Sequence, residues 1–356
     1  MMHNRNSNIM KMPILWLTAI LTMVLSISIF AVEVNGTGSM IAGPLVRVWA
    51  DAYSARTPGV AIKYKGTNPA DGIKRIVAKE ADFSGIDMPM DIAFLQKNRL
   101  LQIPVALGGI APVINLPNVS RGQFKLDGNA LAEIFLGNIK KWNAPALVAL
   151  NPNLTLPDAD IIVIHRVSPP GISTIIGNYL AKVHPEWKSV KGDGMAGTWP
   201  DKSIEVKDPN EYAEKMKKTV YAIGYLPVPQ IMKNGLVYAQ LKTKAGTFVS
   251  PSDENISTAA ENASWVESDG FNVVLTDQPG ATSWPLSFAS FLLLQKTSEN
   301  PERSKMLVKY LKYSLRYGGL KAIQYDYIPL PESVKAIITA SFASITDDKG
   351  APIVKN

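Results

Sequence analysis

Two long apolar stretches, far apart in the chain, are the feature that most restricts the fold. Residues 103–115 (IPVALGGIAPVIN) carry no charge and contain Gly108 and Gly109 near their middle. Residues 284–295 (WPLSFASFLLLQ) form a second uncharged run much later in the chain. Apolar runs of this kind predict buried strands. We expect both to pass between two domains and to form a two-stranded hinge.

Strand and helix patterns alternate along the rest of the chain, which indicates an α/β fold. Residues 60–66 (VAIKYKG) alternate in polarity as a strand does, and residues 305–317 place apolar side chains at helical spacing. With two crossings, the predicted domains are residues 32–105 together with 285–356, and residues 106–284.

The first 31 residues predict an export signal. Arg5 and Lys11 precede residues 13–30, which carry no charge, and this is the pattern of a secretory signal peptide. We expect cleavage near Ala31 and a periplasmic or secreted protein. An uncleaved membrane anchor is the alternative, because the apolar stretch is close to the lower length limit of a membrane span.

Composition excludes several classes of function. The chain has no cysteine, which removes disulfides and thiolate metal ligands. The formal charge of +7 is spread without basic runs, so nucleic acid is not an expected partner, whereas a mild positive charge suits small anions. No metal-ligand cluster and no activated nucleophile stands out. We therefore expect a monomer that is not an enzyme and that holds no cofactor or metal.

Residues 161–180 (IIVIHRVSPPGISTIIGNYL) have the pattern of a strand, a cation, a tight loop and the start of a helix. The first N–H groups of a helix lack intrahelical acceptors and carry partial positive charge. Arg166, placed beside them at a strand end, would complete a site for an anion. The alternative is an ion pair of Arg166 with a surface carboxylate.

Two further segments predict parts of an anion site. Gly36 and Gly38 lie between a short strand and a helix, where glycine lets the backbone approach a ligand closely. Asp87 follows another short strand, and an aspartate beside an anion would select one that carries a proton to donate. A purely structural turn and an aspartate that caps backbone amides are the alternatives.

Taken together, these segments resemble the periplasmic phosphate-binding proteins of bacterial ABC phosphate importers. The matching motifs are, in order, NGTGSMIAGPLVRVWADAY, ADFSGIDMP, GGIAPVINLP, LAEIFLGNIKKWN, NLTLPDADIIVIHRVSPPGIST, AIGYLPV and TSWPLSFASFLLL, and they cover essentially the whole chain after the predicted signal. The resemblance implies a two-domain periplasmic-binding-protein fold of type II with two hinge crossovers. It further implies that the domains close over phosphate or a related oxyanion and deliver it to a permease and an ATPase of the inner membrane.

The resemblance also assigns the ligand-binding positions. Those that match the family are Asp87, Arg166 and the backbone N–H groups of Ile41, Gly171 and Ile172. Hydroxyl residues of the family are replaced at Met40, Pro69, Pro170 and Ile172, and the aspartate that buttresses the arginine is replaced at Ser168.

The four missing hydroxyls have an energetic consequence. Each hydrogen bond lost to a charged ligand costs about 1.5–3 kcal/mol, so four losses sum to about 6 kcal/mol at the low end, or roughly four decades of affinity. We expect orthophosphate binding to be micromolar or weaker, unless Ser39, Ser168 or Ser173 supplies hydroxyls instead. The alternative function is a divergent paralogue with little or no phosphate binding, which acts as a sensor, scaffold or interaction protein.

Overall fold

A computed structural model describes residues 32–166, 171–195 and 199–354. The predicted signal peptide (residues 1–31), Ser168 and Pro170 lie outside these residues. Among the helices of the described part, none combines the length and the apolar character that a bilayer crossing requires.

The first part of the described chain alternates strand and helix, as predicted. Its elements are β1 (Val32–Gly38), α1 (Gly43–Ser54), β2 (Val60–Gly66), α2 (Pro69–Val77), β3 (Phe83–Ile86), α3 (Ile92–Lys97) and β4 (Leu100–Asn115). The strands β2, β1 and β3 lie side by side and run parallel. Their carboxyl ends therefore meet at one edge of the sheet.

The middle part contains the second set of strands and helices. Its elements are β5 (Lys125–Leu126), α4 (Gly128–Leu136), α5 (Pro145–Leu150), β6 (Ile162–Arg166), α6 (Ile172–Val183), α7 (Pro185–Lys191), β7 (Ser203–Val206), α8 (Pro209–Lys218), β8 (Ala222–Pro227), α9 (Val228–Lys233), β9 (Val237–Tyr238), β10 (Gln240–Lys242), β11 (Phe248–Val249) and α10 (Asp253–Glu261). The strands β8, β6 and β7 run parallel to one another.

The last part of the chain packs against the first part. It comprises β12 (Ser287–Gln295), β13 (Thr297–Ser298), α11 (Pro301–Tyr317), α12 (Gly319–Gln324), α13 (Glu332–Ser341), a 3₁₀ turn (Phe342–Ser344) and β14 (Thr346–Asp347). The Tyr310 hydroxyl donates to the carbonyl of Val46 at 2.9 Å, and the Trp49 indole N–H donates to the carbonyl of Gly318 at 3.0 Å. These bonds fasten α11 to α1.

The strand β4 joins the two sets of strands. Its first ten residues, up to Gly109, pair antiparallel with β12, and the remainder, from Ile110 onward, pairs antiparallel with β8. The change of partner therefore falls directly after the two glycines. At the same level the Trp284 indole N–H donates to the Ile110 carbonyl at 2.8 Å, so both apolar runs lie together at the crossing. The α/β class and the two crossing strands are confirmed.

Candidate functional site

Ser39 and Asp87 form a buried polar pair at the edge of the sheet. They directly follow β1 and β3, which are neighbouring parallel strands, and both side chains are buried. The Ser39 hydroxyl donates to Asp87 Oδ1. The same oxygen, Ser39 Oγ, accepts the N–H groups of Ile41 at 3.0 Å and Ala42 at 3.1 Å. Ser39 therefore stabilises the turn before α1 and orients the Asp87 carboxyl.

Burial changes the acidity of Asp87. Only 6% of the residue is exposed, and this burial raises the pKa of Asp87 to about 6, while the hydrogen bond from Ser39 acts in the opposite direction. The described residues contribute no hydrogen bond to the second carboxyl oxygen, Oδ2. Near neutral pH, Asp87 can therefore offer an oxygen that accepts a proton-bearing group of a ligand.

Two phenols, the buried Tyr64 and the half-buried Tyr327, hold the turn that contains Ser39. The Tyr64 hydroxyl donates to the Ser39 carbonyl at 2.8 Å, and the Tyr327 hydroxyl donates to the Ile41 carbonyl. Burial raises the pKa of Tyr327 to about 12, and the Asp87 charge contributes in the same direction. Burial also raises the pKa of Tyr64. Both phenols consequently remain protonated donors at neutral pH, and the turn is fixed from two distant parts of the chain.

Arg166 and the start of α6 form the opposite half of the site. Arg166 ends β6 and is half-buried, and no carboxylate of the described residues forms an ion pair with it. The hydroxyl of the buried Tyr225 lies 3.1 Å from Ser173 Oγ. The phenol thereby links β8, which is paired with β6, to the first turn of α6. The alternative of a surface ion pair finds no partner in the described part of the chain.

The first turn of α6 presents backbone donors. Its cap residue Gly171 has φ of 134°, which L side chains rarely adopt, and Ile172 is the first helical residue. No described residue accepts the N–H groups of Gly171, Ile172 or Ser173. Together with Arg166, these groups provide positive charge and directed donors for an anion.

Ile41 brings the two halves of the site together. A methyl group built on Gly171 would lie 3.9 Å from Ile41 Cδ1, so the tip of Ile41 faces the bare backbone at the start of α6. Met40, by contrast, is 66% exposed and passes over Gly66, with its Cγ 3.4 Å from a methyl group built there. Pro69 opens α2 behind the cap residue Asn68. Of these three apolar side chains, Ile41 is the one that lies beside the start of α6.

The hydroxyl groups near the site already have partners within the protein. Ser39 Oγ bonds to Asp87, and Ser173 Oγ bonds to Tyr225. Thr37 and Thr67, on the neighbouring strand ends, pair with each other through their Oγ1 atoms at 3.2 Å. Ser39 and Ser173 were considered from the sequence as replacement donors to a ligand. The Ser39 hydroxyl is instead directed at Asp87, and Ser173 Oγ shares a hydrogen bond with the Tyr225 hydroxyl. The predicted donor N–H of Ile41 is bonded to Ser39.

A group of His184 with two glutamates escaped the sequence analysis, in which no metal-ligand cluster stood out. The His184 Nε2 lies 2.7 Å from Glu133 Oε1. One side-chain ligand atom each of Glu133, His184 and Glu186 lies within 4.8 Å of the other two. His184 Nδ1 accepts the N–H of Trp187 at 3.1 Å and so caps α7. Both ring nitrogens are therefore used within the protein, Nε2 to join α7 to Glu133 of α4 and Nδ1 to cap α7. Glu133 and His184 are 51 positions apart, so no local motif reveals the pair.

Comparison with known proteins identifies a family and several similar proteins. The model of a PBP superfamily domain matches residues 28–316. The phosphate-binding protein PstS of Pasteurella multocida is 40% identical and is aligned over 92% of this chain and 94% of its own length. The PstS of Haemophilus influenzae is 39% identical over 87% of this chain and 92% of its own length.

The fold also matches solved structures. A phosphate-binding protein from Stenotrophomonas maltophilia superposes with a TM-score of 0.63 at 18% identity, over 90% of this chain and 96% of that one. At this level of identity the match concerns the fold. The match supports an α/β fold of the periplasmic-binding-protein type for this chain.

Proposed function

This chain belongs to the PstS family of phosphate-binding proteins, within the PBP superfamily, and from that premise we propose that it captures phosphate or a related oxyanion between its two sets of strands. The observation that carries the proposal is the position of Ile41, whose Cδ1 would lie 3.9 Å from a methyl group built on Gly171. It joins the turn that holds Asp87 to the helix start beside Arg166, so an acceptor and a group of donors border one space.

The two sides of this space have complementary roles. Arg166 and the N–H groups of the first turn of α6, for which the described residues supply no acceptor, attract the anion and donate to its oxygens. Asp87 accepts a hydrogen bond from a protonated oxygen of the ligand, so a protonated oxyanion is preferred to one without a proton. A fully ionised anion such as sulfate would set its charge against the Asp87 carboxylate with no hydrogen between them.

The wider organisation is part of the same proposal, and membership of the family supports it. We propose domains of residues 32–105 with 285–356 and of residues 106–284, joined where β4 changes partner. The protein is exported and acts in the periplasm, where it passes its ligand to the permease and ATPase subunits of an ABC importer. It acts as a monomer and as a solute carrier rather than as an enzyme.

Titration calorimetry with Arg166→Ala tests this function. We expect the unmodified protein to bind orthophosphate and the variant to lose binding, because no other cation of the described site can replace a guanidinium at the end of β6. Arg56→Ala is the matched control, since Arg56 is exposed and lies outside the site. Unchanged affinity in Arg166→Ala would refute the assignment.

A second function is favoured by the hydroxyl groups of the site. Ser39, Ser173 and the N–H of Ile41 already have protein partners, so the described site has few donors left for a ligand. A site with few donors is expected in a divergent paralogue that serves as a sensor or scaffold. This reading takes precedence if the unmodified protein binds none of phosphate, arsenate and the phosphonates.

A further inference from the structure

We propose that the preferred ligand is an organophosphonate, R–PO₂(OH)⁻, in which a carbon substituent replaces one oxygen of orthophosphate. This inference rests on the proposed function, because it concerns the same site. The argument for a carbon substituent is that two sides of the site offer hydrogen-bonding groups to the ligand and the third side is apolar.

Donors are confined to one side of the site. They are the Arg166 guanidinium and the N–H groups of Gly171 and Ile172, for which the described chain supplies no acceptor. The acceptor on the other side is Asp87, whose Oδ1 is bonded to Ser39 and whose Oδ2 remains available within the described part. These groups suit a tetrahedral anion with two bare oxygens and one hydroxyl.

The remaining side of the site is apolar. Ile41 Cδ1 faces the backbone of Gly171 at the helix start. The Ile41 N–H is bonded to Ser39 Oγ at 3.0 Å. An anion on the first turn of α6 therefore has the tip of Ile41 beside it. Nothing in this part of the described site donates to a fourth oxygen.

The energetic consequence separates the two ligands. A fourth phosphate oxygen against Ile41 would lose its water without gaining a donor, which is unfavourable for a charged group. A methyl group at the same place buries apolar surface against apolar surface, which is favourable. The monoanion of a phosphonate still carries a hydroxyl for Asp87, so that contact is common to both ligands.

Calorimetry with orthophosphate, methylphosphonate and methanesulfonate tests the inference. We expect methylphosphonate to bind at least tenfold more tightly than orthophosphate, a difference of about 1.4 kcal/mol. Methanesulfonate has the same shape without a proton for Asp87 and should not bind. Orthophosphate binding as tightly as methylphosphonate would overturn the inference and leave the proposed function intact, whereas absence of binding by both would overturn the two together.

An isosteric pair of variants isolates the apolar side. Ile41→Val removes Cδ1 but keeps the residue apolar, whereas Ile41→Thr has the same size as valine and adds a hydroxyl. We expect the preference for methylphosphonate to persist in Ile41→Val and to fall at least fivefold in Ile41→Thr, about 1 kcal/mol, through tighter binding of orthophosphate. If the ratio of methylphosphonate affinity to orthophosphate affinity is the same in both variants, Ile41 does not border the ligand and the argument is refuted.

Discussion

The buried carboxyl of Asp87 predicts a specific dependence of stability on pH. Its pKa of about 6 in the folded protein lies above the usual value of 3.8, so the folded state holds the proton more tightly than the unfolded state. Stability should therefore fall as pH rises through this range, from about pH 4 to about pH 6. Two pKa units correspond to about 3 kcal/mol in the free energy of unfolding.

Asp87→Asn removes this effect while keeping the size of the side chain and an oxygen that accepts from Ser39. We expect the variant to match the parent protein within about 1 kcal/mol near pH 4 and to exceed its unfolding free energy by about 3 kcal/mol near pH 7, because only the parent carries a buried charge there. Urea denaturation without ligand, followed by tryptophan fluorescence at the two pH values, measures the difference.

The exposed Asp348 provides the control, as Asp348→Asn carries the same chemical change outside the site. The decisive quantity is the difference between variant and parent at each pH, since other carboxyls contribute equally to both proteins. A difference that does not change with pH would refute the reasoning. It would mean that Asp87 is as well solvated in the folded protein as in the unfolded chain.

Three further predictions concern the hydroxyl groups, the helix start and the hinge. Restoring hydroxyls with Met40→Thr, Pro170→Ser and Ile172→Thr together should raise orthophosphate affinity at least tenfold by calorimetry, about 1.4 kcal/mol; no gain would mean that the site is misshapen for phosphate. Gly171→Ala should destabilise the protein by about 1–3 kcal/mol, because alanine is strained at φ of 134°, and a thermal melt of unchanged midpoint would contradict this. Trp284→Phe should cost about 1–3 kcal/mol in urea denaturation, since a buried carbonyl at the crossing loses its indole donor; a loss below about 0.5 kcal/mol would show that the bond is dispensable.

The sequence predicted the fold well because its signals are local. Apolar runs and alternating patterns depend on near neighbours, and they located the two crossing strands and the α/β class. They also placed Asp87 directly after a strand, and the structure has it directly after Phe83–Ile86. Arg166 at the end of its strand followed from the same kind of pattern.

The partners of the polar groups could not be predicted in this way. Ser39 and Asp87 are 48 positions apart, and Tyr327 and Ile41 are 286 positions apart. Which donor meets which acceptor depends on how distant segments pack, and several choices satisfy the same sequence pattern. The sequence analysis accordingly considered Ser39 as a donor to the ligand, whereas its proton is directed at Asp87.

The sequence by itself determined the order of strands and helices, the two crossings and the apolar character of Met40, Ile41 and Pro69, because backbone preference and side-chain chemistry are properties of the residues. Only the tertiary structure decided that Ser39 bonds to Asp87, that burial raises the pKa of that carboxyl, and that Ile41 faces Gly171. Desolvation and hydrogen bonding act over a few ångströms between groups that folding alone brings together.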